Sequence, residues 1–303
     1  MLILIPGITG ALGGHIATSA LSRGHTLRGL GRSPKALSSD ITSRLESFFE
    51  LESYYDISAL ERACHGVDAI ICALRSTPEL ELDVQLLLLR AAEKAGIKIF
   101  VASTWNNDWT RIGFGAFEHY DAHISFKRQA EISSPIRPVY LFTGTFAEYL
   151  LSFTCFHVVG KTDDSGKKIE YWEDPSAPVP WTSMRDAAEF TLEVLNDEGV
   201  KQGKGGRFSF QSGVTTASEL AKTYTQVTGG GVELVRAGSE EELAALAYKR
   251  RSETDVRDYL NYAILFYHLY TLKQTWKLRD VREYPQIRRT GLEEAVTLAL
   301  DYV

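Results

Sequence analysis

Gly7-Ile8-Thr9-Gly10-Ala11-Leu12-Gly13 lies between a short apolar run and a stretch of helical periodicity. That spacing suits the capture of a diphosphate by backbone. In a G-x-x-G-x-x-G turn the first glycine permits the tight bend, the second lets backbone approach a pyrophosphate, and the third lets the helix pack closely. Exposed N–H groups and the positive helix end then attract phosphate. Gly7, Thr9, Gly10, Leu12 and Gly13 are therefore the expected contacts of a dinucleotide. An NAD site places an acid at the end of the second strand, whereas this chain offers Gly31-Arg32-Ser33-Pro34-Lys35. Arg32 can grip a 2′-phosphate through charge-assisted hydrogen bonds, and Lys35 adds a second positive charge. NADP(H) is the expected cofactor.

The elements that hold these residues read as βαβ units. Leu2-Ile3-Leu4-Ile5 is the continuous apolar run of a strand buried on both faces. A helix follows over 11–23, closed by Gly24, then strands at 26–30 and 48–51 and a helix at 57–64. A buried strand at 69–74 precedes a helix at 80–95 that Gly96 ends, and strands at 97–103 and 139–142 flank the helix around Lys127. This alternation predicts an α/β fold, a Rossmann doubly wound parallel sheet with a smaller C-terminal substrate-binding part. Residues 1–150 form the expected NADP(H)-binding domain. Residues 151–303 form a substrate-side part packed on it, with some elements completing the core sheet. Within that part the sequence predicts a turn at 161–168, strands at 169–172 and 207–210, and helices at 183–195 and 216–228.

Composition narrows the classes. The 303 residues carry 33 Lys and Arg against 39 Asp and Glu, a net charge of -6, which gives no electrostatic reason to expect nucleic acid. Lys249-Arg250-Arg251 is flanked by Glu253 and Asp255 and reads as a solvated face. Cys64, Cys72 and Cys155 have no metal-ligand spacing and suit a reducing compartment. The opening residues lack a basic leader segment. The most apolar later stretch, 259–270, carries Asn261 and His268 and is too short to span a bilayer. The expectation is a cytoplasmic protein, monomer or homodimer, with a small-molecule substrate and no membrane or nucleic-acid partner. No Ser-His-Asp set, His or Cys metal cluster or Gly-Lys-Ser/Thr phosphate loop is present.

The opening turn and Gly31-Arg32-Ser33-Pro34 resemble the isoflavone reductase-like and NmrA-like families of atypical short-chain dehydrogenases. So do Gly66-Val67-Asp68-Ala69-Ile70-Ile71 and the Lys127 helix. Glu283-Tyr284-Pro285-Gln286-Ile287, followed by Thr290-Gly291-Leu292-Glu293-Glu294, resembles the family's C-terminal signature. The resemblance covers nearly the whole chain. It implies an oxidoreductase with a cleft over the nicotinamide, of a type that serves fungal secondary metabolism. It also implies that Lys127 is the lysine the family's reductases use. One departure touches that cleft: Ser103-Thr104-Trp105-Asn106-Asn107 stands where the family carries Ser-Glu-Phe-Gly.

Lys127 can act as general acid or base, or hold the cofactor ribose. His123, one helical turn earlier, is either its partner in an acid/base pair or a surface histidine. Tyr120 is a weaker candidate. Ser103, Phe142, Thr143, Gly144 and Phe146 are expected to border the cofactor. Trp105, Asn106 and Asn107 lie where open α/β sheets place ligands; the amides can orient a substrate, and Trp105 either stacks on it or packs in the core. Among Tyr259, Tyr262, Phe266, Tyr267 and Tyr270, cavity lining competes with helix core, and Tyr267 is the residue assigned to substrate. The expected function is NADPH-dependent reduction of a small apolar aromatic or alkaloid-like metabolite, with ring formation (a cyclase step) open as a variant. The rival is a dinucleotide-sensing regulator without turnover.

Overall fold

The computed structural model describes residues 1–152, 156, 158–159 and 167–302, so Cys155 and positions 161–166 of the expected turn lie outside the described residues. The first half runs β1 (Leu2–Pro6), α1 (Ala11–Ser22), β2 (Thr26–Gly31), α2 (Ser39–Arg44), β3 (Leu45–Glu50), α3 (Ile57–Cys64), β4 (Ala69–Ile71), α4 (Gln85–Ala95), β5 (Ile99–Val101), α5 (Asp121–Ser133) and β6 (Val139–Phe142). Then follow β7 (Thr145–Phe146), β8 (Val158–Val159), β9 (Lys167–Trp172), β10 (Val179–Thr182), α6 (Met184–Leu195), α7 (Glu198–Lys201), β11 (Gly206–Ser209) and β12 (Gly213–Thr215). The chain closes with α8 (Ala217–Thr228), β13 (Val232–Gly238), α9 (Glu240–Glu253), α10 (Leu260–Leu272) and α11 (Leu292–Tyr302).

Seven parallel strands in the order β11-β6-β5-β4-β1-β2-β3 make the central sheet. The order reverses between β1 and β4, which opens a crevice at their carboxyl ends. Period-two alternation sends Leu4, Ile70 and Phe100 into one core and Ile3, Ile5, Ile71 and Val101 into the other. Burying each such side chain contributes about 1.5–3 kcal/mol, so helices must cover both faces. A third core, with Leu150, Trp181, Leu220, Tyr224 and Val296, holds the later elements together. Small sheets β12-β10-β7 and β13-β9-β8 accompany it. The C-terminal segment is tied back: Thr290 N–H donates to Asp186 Oδ2 at 2.6 Å, and Tyr284 packs on Phe190 at 5.5 Å.

Several elements differ from expectation. The third strand begins at Leu45 because it is a half-exposed sheet edge, where an apolar run is a poor guide to length. The helix expected from residue 80 opens as a π-helical turn at Glu79–Val84 before α4. Helix α9 has only Leu243 and Ala247 buried, so it shows no apolar stripe to read. Lys249 and Arg250 are exposed, but Arg251 is pinned by Glu118 at 2.6 Å and by the Gly115 carbonyl at 2.5 Å. Cys64 and Cys72 are buried free thiols, each pushed up to about 12 by burial, and so inert at neutral pH.

Candidate functional site

At the crevice the 7–13 turn is built by steric necessity at two of its glycines. Gly7 has φ +81°, and a Cβ there would lie 2.2 Å from the Ala73 carbonyl oxygen. A Cβ on Gly13 would lie 2.2 Å from the Gly7 oxygen. Gly10 is different, for it is exposed and its Cβ would meet only the Gly7 oxygen, at 3.2 Å. Gly10 caps α1 without a side-chain hydrogen bond, and the first turn holds no acid. The N–H groups there remain available to an anion. Thr9 sits against Gly31 at the end of β2, and Leu12 packs on the core beneath. Arg32 and Lys35 are exposed just beyond, on a short turn capped by Ser33, and neither joins an ion pair among the described residues.

Residues expected further along the cofactor separate. Ser103 is half-buried; its N–H donates to Gln85 Oε1 at 2.9 Å and its hydroxyl to the Leu74 carbonyl at 3.0 Å, joining the ends of β4 and β5. Thr143 and Gly144 both donate backbone N–H to the Asn106 carbonyl, at 3.0 and 3.2 Å. Gly144 has φ +68°, and its missing Cβ would strike the Pro180 oxygen at 2.2 Å. Phe142 is buried between Trp109 and the Arg207 guanidinium, so it belongs to the core rather than the cofactor surface. Phe146 remains half-buried at the edge.

The two asparagines and Trp105 part company as well. Trp105 is 6% exposed and packs in the core on the α6 side, its indole N–H donating to Thr191 Oγ1 at 2.9 Å. Of its two expected roles, the structure places it in packing. Asn106 Oδ1 accepts from the Asn107 N–H and from the Tyr120 hydroxyl, each at 2.8 Å. Tyr120 and Tyr267 hydroxyls lie 3.0 Å apart. Asn107 and Tyr267 meet in a cleft of about 340 Å3, part of it open to solvent, with Thr145, Phe156, Val179 and Trp276 in its walls. A second pocket, with Trp172 and Asp174 in its walls, shares Phe156 and Thr271 with the first. Of the aromatic stretch, Tyr262 and Phe266 are core and Tyr267 faces the cleft.

Lys127 and His123 do not pair. Lys127, with 31% of its side chain exposed, forms an ion pair with Glu131 on its own helix. His123 is buried, stacked on Trp109 at 5.4 Å, with Nε2 3.3 Å from Glu81 Oε1. It is neither Lys127's partner nor a surface group. Burial, then the neighbouring His119, pushes His123 down to about 3, and burial pushes Glu81 up to about 8 against a hydrogen bond from Ser76. Burial thus opposes charge on both groups, which argues against reading the contact as a salt bridge. Burial, with the facing Tyr267 hydroxyl, raises Tyr120 well above the usual phenol range, and burial raises Tyr267 too. Both phenols stay protonated.

Sequence reasoning missed Glu81, Trp276 and Asp108. Asp108 anchors the C-terminal segment beside the cleft, accepting from Arg279 at 2.8 Å and Arg207 at 2.9 Å. Burial works to raise it, but Thr110 and the two guanidiniums hold it below the usual carboxylate range. Partners 99 and 171 residues away leave no local signal. Among the described residues no His, Cys, Asp and Glu group could hold a metal ion, and no helix is long and apolar enough to cross a membrane.

Known proteins share this fold. Pinoresinol reductase 2 of Arabidopsis thaliana is 25% identical over 280 residues, 88% of this chain and 85% of its own length. The bifunctional pinoresinol-lariciresinol reductase of Linum perenne is 23% identical, over 80% of each chain. In fold, the chain resembles a protein solved with NADP+ and (+)-pinoresinol (TM-score 0.77, 21% identity, 99% and 98% coverage). It also resembles leucoanthocyanidin reductase of Vitis vinifera bound to NADPH (TM-score 0.76, 19% identity, 99% and 100% coverage). The negative transcriptional regulator NmrA is similar over less of the chain (TM-score 0.64, 16% identity, 78% and 74% coverage). The NmrA-like family model matches residues 1–294, and the chain belongs to that family.

Proposed function

We propose that this protein is an NADPH-dependent reductase of a small, largely apolar aromatic metabolite. The observation that carries the reading is that the 7–13 backbone cradle and the cleft walled by Asn107 and Tyr267 both lie at the carboxyl ends of the sheet, with Tyr120 hydrogen-bonded to Asn106 and Tyr267 beside the cleft. The cradle fits a pyrophosphate: Gly10 leaves its surface clear and the first turn of α1 presents uncapped N–H groups. Arg32 and Lys35 would hold a 2′-phosphate, and Thr9, Leu12, Ser103 and Phe146 would flank the rest of the dinucleotide. When bound, the reduced nicotinamide supplies a hydride. Residues 1–150 are the dinucleotide half in this reading, and residues 151–303 supply the substrate wall.

The chain's own residues then have three tasks. The aromatic and aliphatic walls of the cleft exclude water and orient a flat ring. Asn106 fixes Tyr120 and the backbone of 143–144, and so fixes the floor. Lys127 Nζ, released from Glu131 when ligands bind, holds or returns the proton that accompanies reduction. A product retained in the same cleft can close a ring there, which product analysis would reveal. The relatives named for pinoresinol and lariciresinol reduction support an aromatic substrate.

The test is steady NADPH oxidation with lignan-like and other aromatic acceptors, faster than with NADH. Arg32→Ala should weaken NADPH alone, by about 1–3 kcal/mol for a charged hydrogen bond. Equal affinity of the native protein for both cofactors in calorimetry would remove Arg32 from the site. A second reading, a dinucleotide-sensing regulator, draws on the pairing of Lys127 with Glu131, which turns the amine to its own helix. Tight NADPH binding without oxidation, whatever the acceptor, would favour it.

A further inference from the structure

The directions of the hydrogen bonds around the cleft decide what it offers a ligand. Asn106 Oδ1 accepts from the Asn107 backbone N–H at 2.8 Å, which fixes that amide's orientation. The Tyr120 hydroxyl must donate to the same oxygen, also at 2.8 Å. Tyr120's proton being spent, the 3.0 Å contact with Tyr267 has Tyr267 as donor. Thr271, on the cleft wall, donates its proton to the Tyr267 carbonyl at 2.9 Å. The protons of these three side chains are committed inside the protein. One acceptor is not: Asn107 is 2% exposed, lines the cleft, and its Oδ1 has no hydrogen-bond partner among the described residues.

A buried acceptor without a donor is a standing cost in the folded protein. A ligand that brings a donor removes that cost, and one that brings an ether or methyl group makes it permanent. We infer that Asn107 selects aromatic ligands that present a hydrogen-bond donor, a phenolic O–H or a ring N–H, to its Oδ1. The inference rests on the reading of this cleft as the reductase's substrate site and narrows its substrate class. A fully O-methylated or N-alkylated aromatic molecule of the same shape is a poor ligand.

Calorimetric titration of the NADP+-saturated protein tests this with two pairs of small probes. The pairs are 2-naphthol against 2-methoxynaphthalene, and indole against 1-methylindole. The expected result is that at least one donor-bearing probe binds about tenfold or more tightly than its methylated partner. Which pair shows the preference separates O–H from N–H recognition. In Asn107→Leu the preference falls below about twofold, with NADPH titration as the control for a folded site. Equal binding within both pairs in the native protein overturns the inference, as does a preference that survives Asn107→Leu or a failure of all four probes to bind. The native comparison stands by itself if Asn107→Leu does not fold. Absence of NADPH binding in that control on native protein would instead sink the reductase reading, while the probe pairs still report on Asn107.

Discussion

The cradle and the cleft lie at the same end of one sheet but are made in opposite ways. The cradle is seven consecutive residues whose backbone atoms touch one another, with missing Cβ atoms that would fall 2.2 Å from carbonyl oxygens. The cleft draws Asn107, Thr145, Val179, Tyr267 and Trp276 from segments spread over most of the chain, and its chemistry is in side chains. A backbone site has little freedom to adapt, because its shape is also its fold. A side-chain site can change specificity residue by residue while the sheet beneath is untouched. The expected mutational responses therefore differ in kind.

The largest effect belongs to the cradle. Gly13→Val should abolish NADPH binding and lower the melting temperature, since the new side chain collides with the Gly7 carbonyl that closes the turn. Gly10→Ala meets only a 3.2 Å contact, so it should melt like the native protein while weakening NADPH at the exposed approach. Thermal melts and calorimetry on both variants check this contrast. A Gly13→Val protein with native stability and native affinity would break it.

Next comes Lys127→Ala. If Lys127 manages the proton, kcat should fall about 10²–10⁴-fold. Stability should move by only about 0.5 kcal/mol, because the lost partner is an exposed ion pair on one helix turn. Native turnover in this variant would place the proton step elsewhere.

The third prediction concerns the buried pair behind the cleft. Glu81, raised from 4.5 to about 8, binds its proton more tightly in the native state, so stability falls as pH rises between those values. His123 and His119, lowered from 6.5 to about 3 and about 4, refuse a proton that the unfolded chain accepts, so stability falls as pH drops below 6.5. Between pH 6.5 and 8 Glu81 acts without them, at about 1.4 kcal/mol per unit, or about 2 kcal/mol across the window. Glu81→Gln should flatten that limb in denaturant titrations at pH 6.5, 7.3 and 8. A native protein whose stability is level over this range would show the carboxyl to be ionised throughout.

The difference between the two regions also governs what the sequence could reveal. The glycine turn, the buried strands and the parallel order follow from local spacing and from apolar runs that only a doubly covered sheet needs. The cleft had partial signals. Asn107 and Tyr267 were readable from their position after β5 and from the aromatic stretch, but nothing local announced that Tyr120 links Asn106 to Tyr267. His123 shows why. Spacing of four along a helix places it near Lys127, yet its imidazole turns to Trp109 and Glu81, partners that only the packed structure brings within reach. The burial of Phe142 has a similar cause, since the end of a strand can be roofed by a loop, here the one carrying Trp109.

The smallest expected effect tests where the cleft stops along the 103–107 loop. Trp105 and Asn106 are neighbours in sequence, but Trp105 faces α6 and Asn106 faces Tyr120. Trp105→Phe keeps most of the buried ring and deletes one hydrogen bond, from the indole N–H to Thr191 Oγ1. Thr191 still donates its own proton to the Ala187 carbonyl at 2.7 Å, so no donor is orphaned, only an acceptor with one use left. The cost should be about 1 kcal/mol from the lost bond, with a little more for the smaller ring. Denaturant titration should register that loss, while KM and kcat stay within about twofold of native because no atom of the cleft has moved. The opposite outcome, native stability with a raised KM for an aromatic substrate, would mean that the indole reaches the ligand. The boundary between core and cleft would then fall one residue earlier, and Trp105 would join Asn107 as a determinant of specificity.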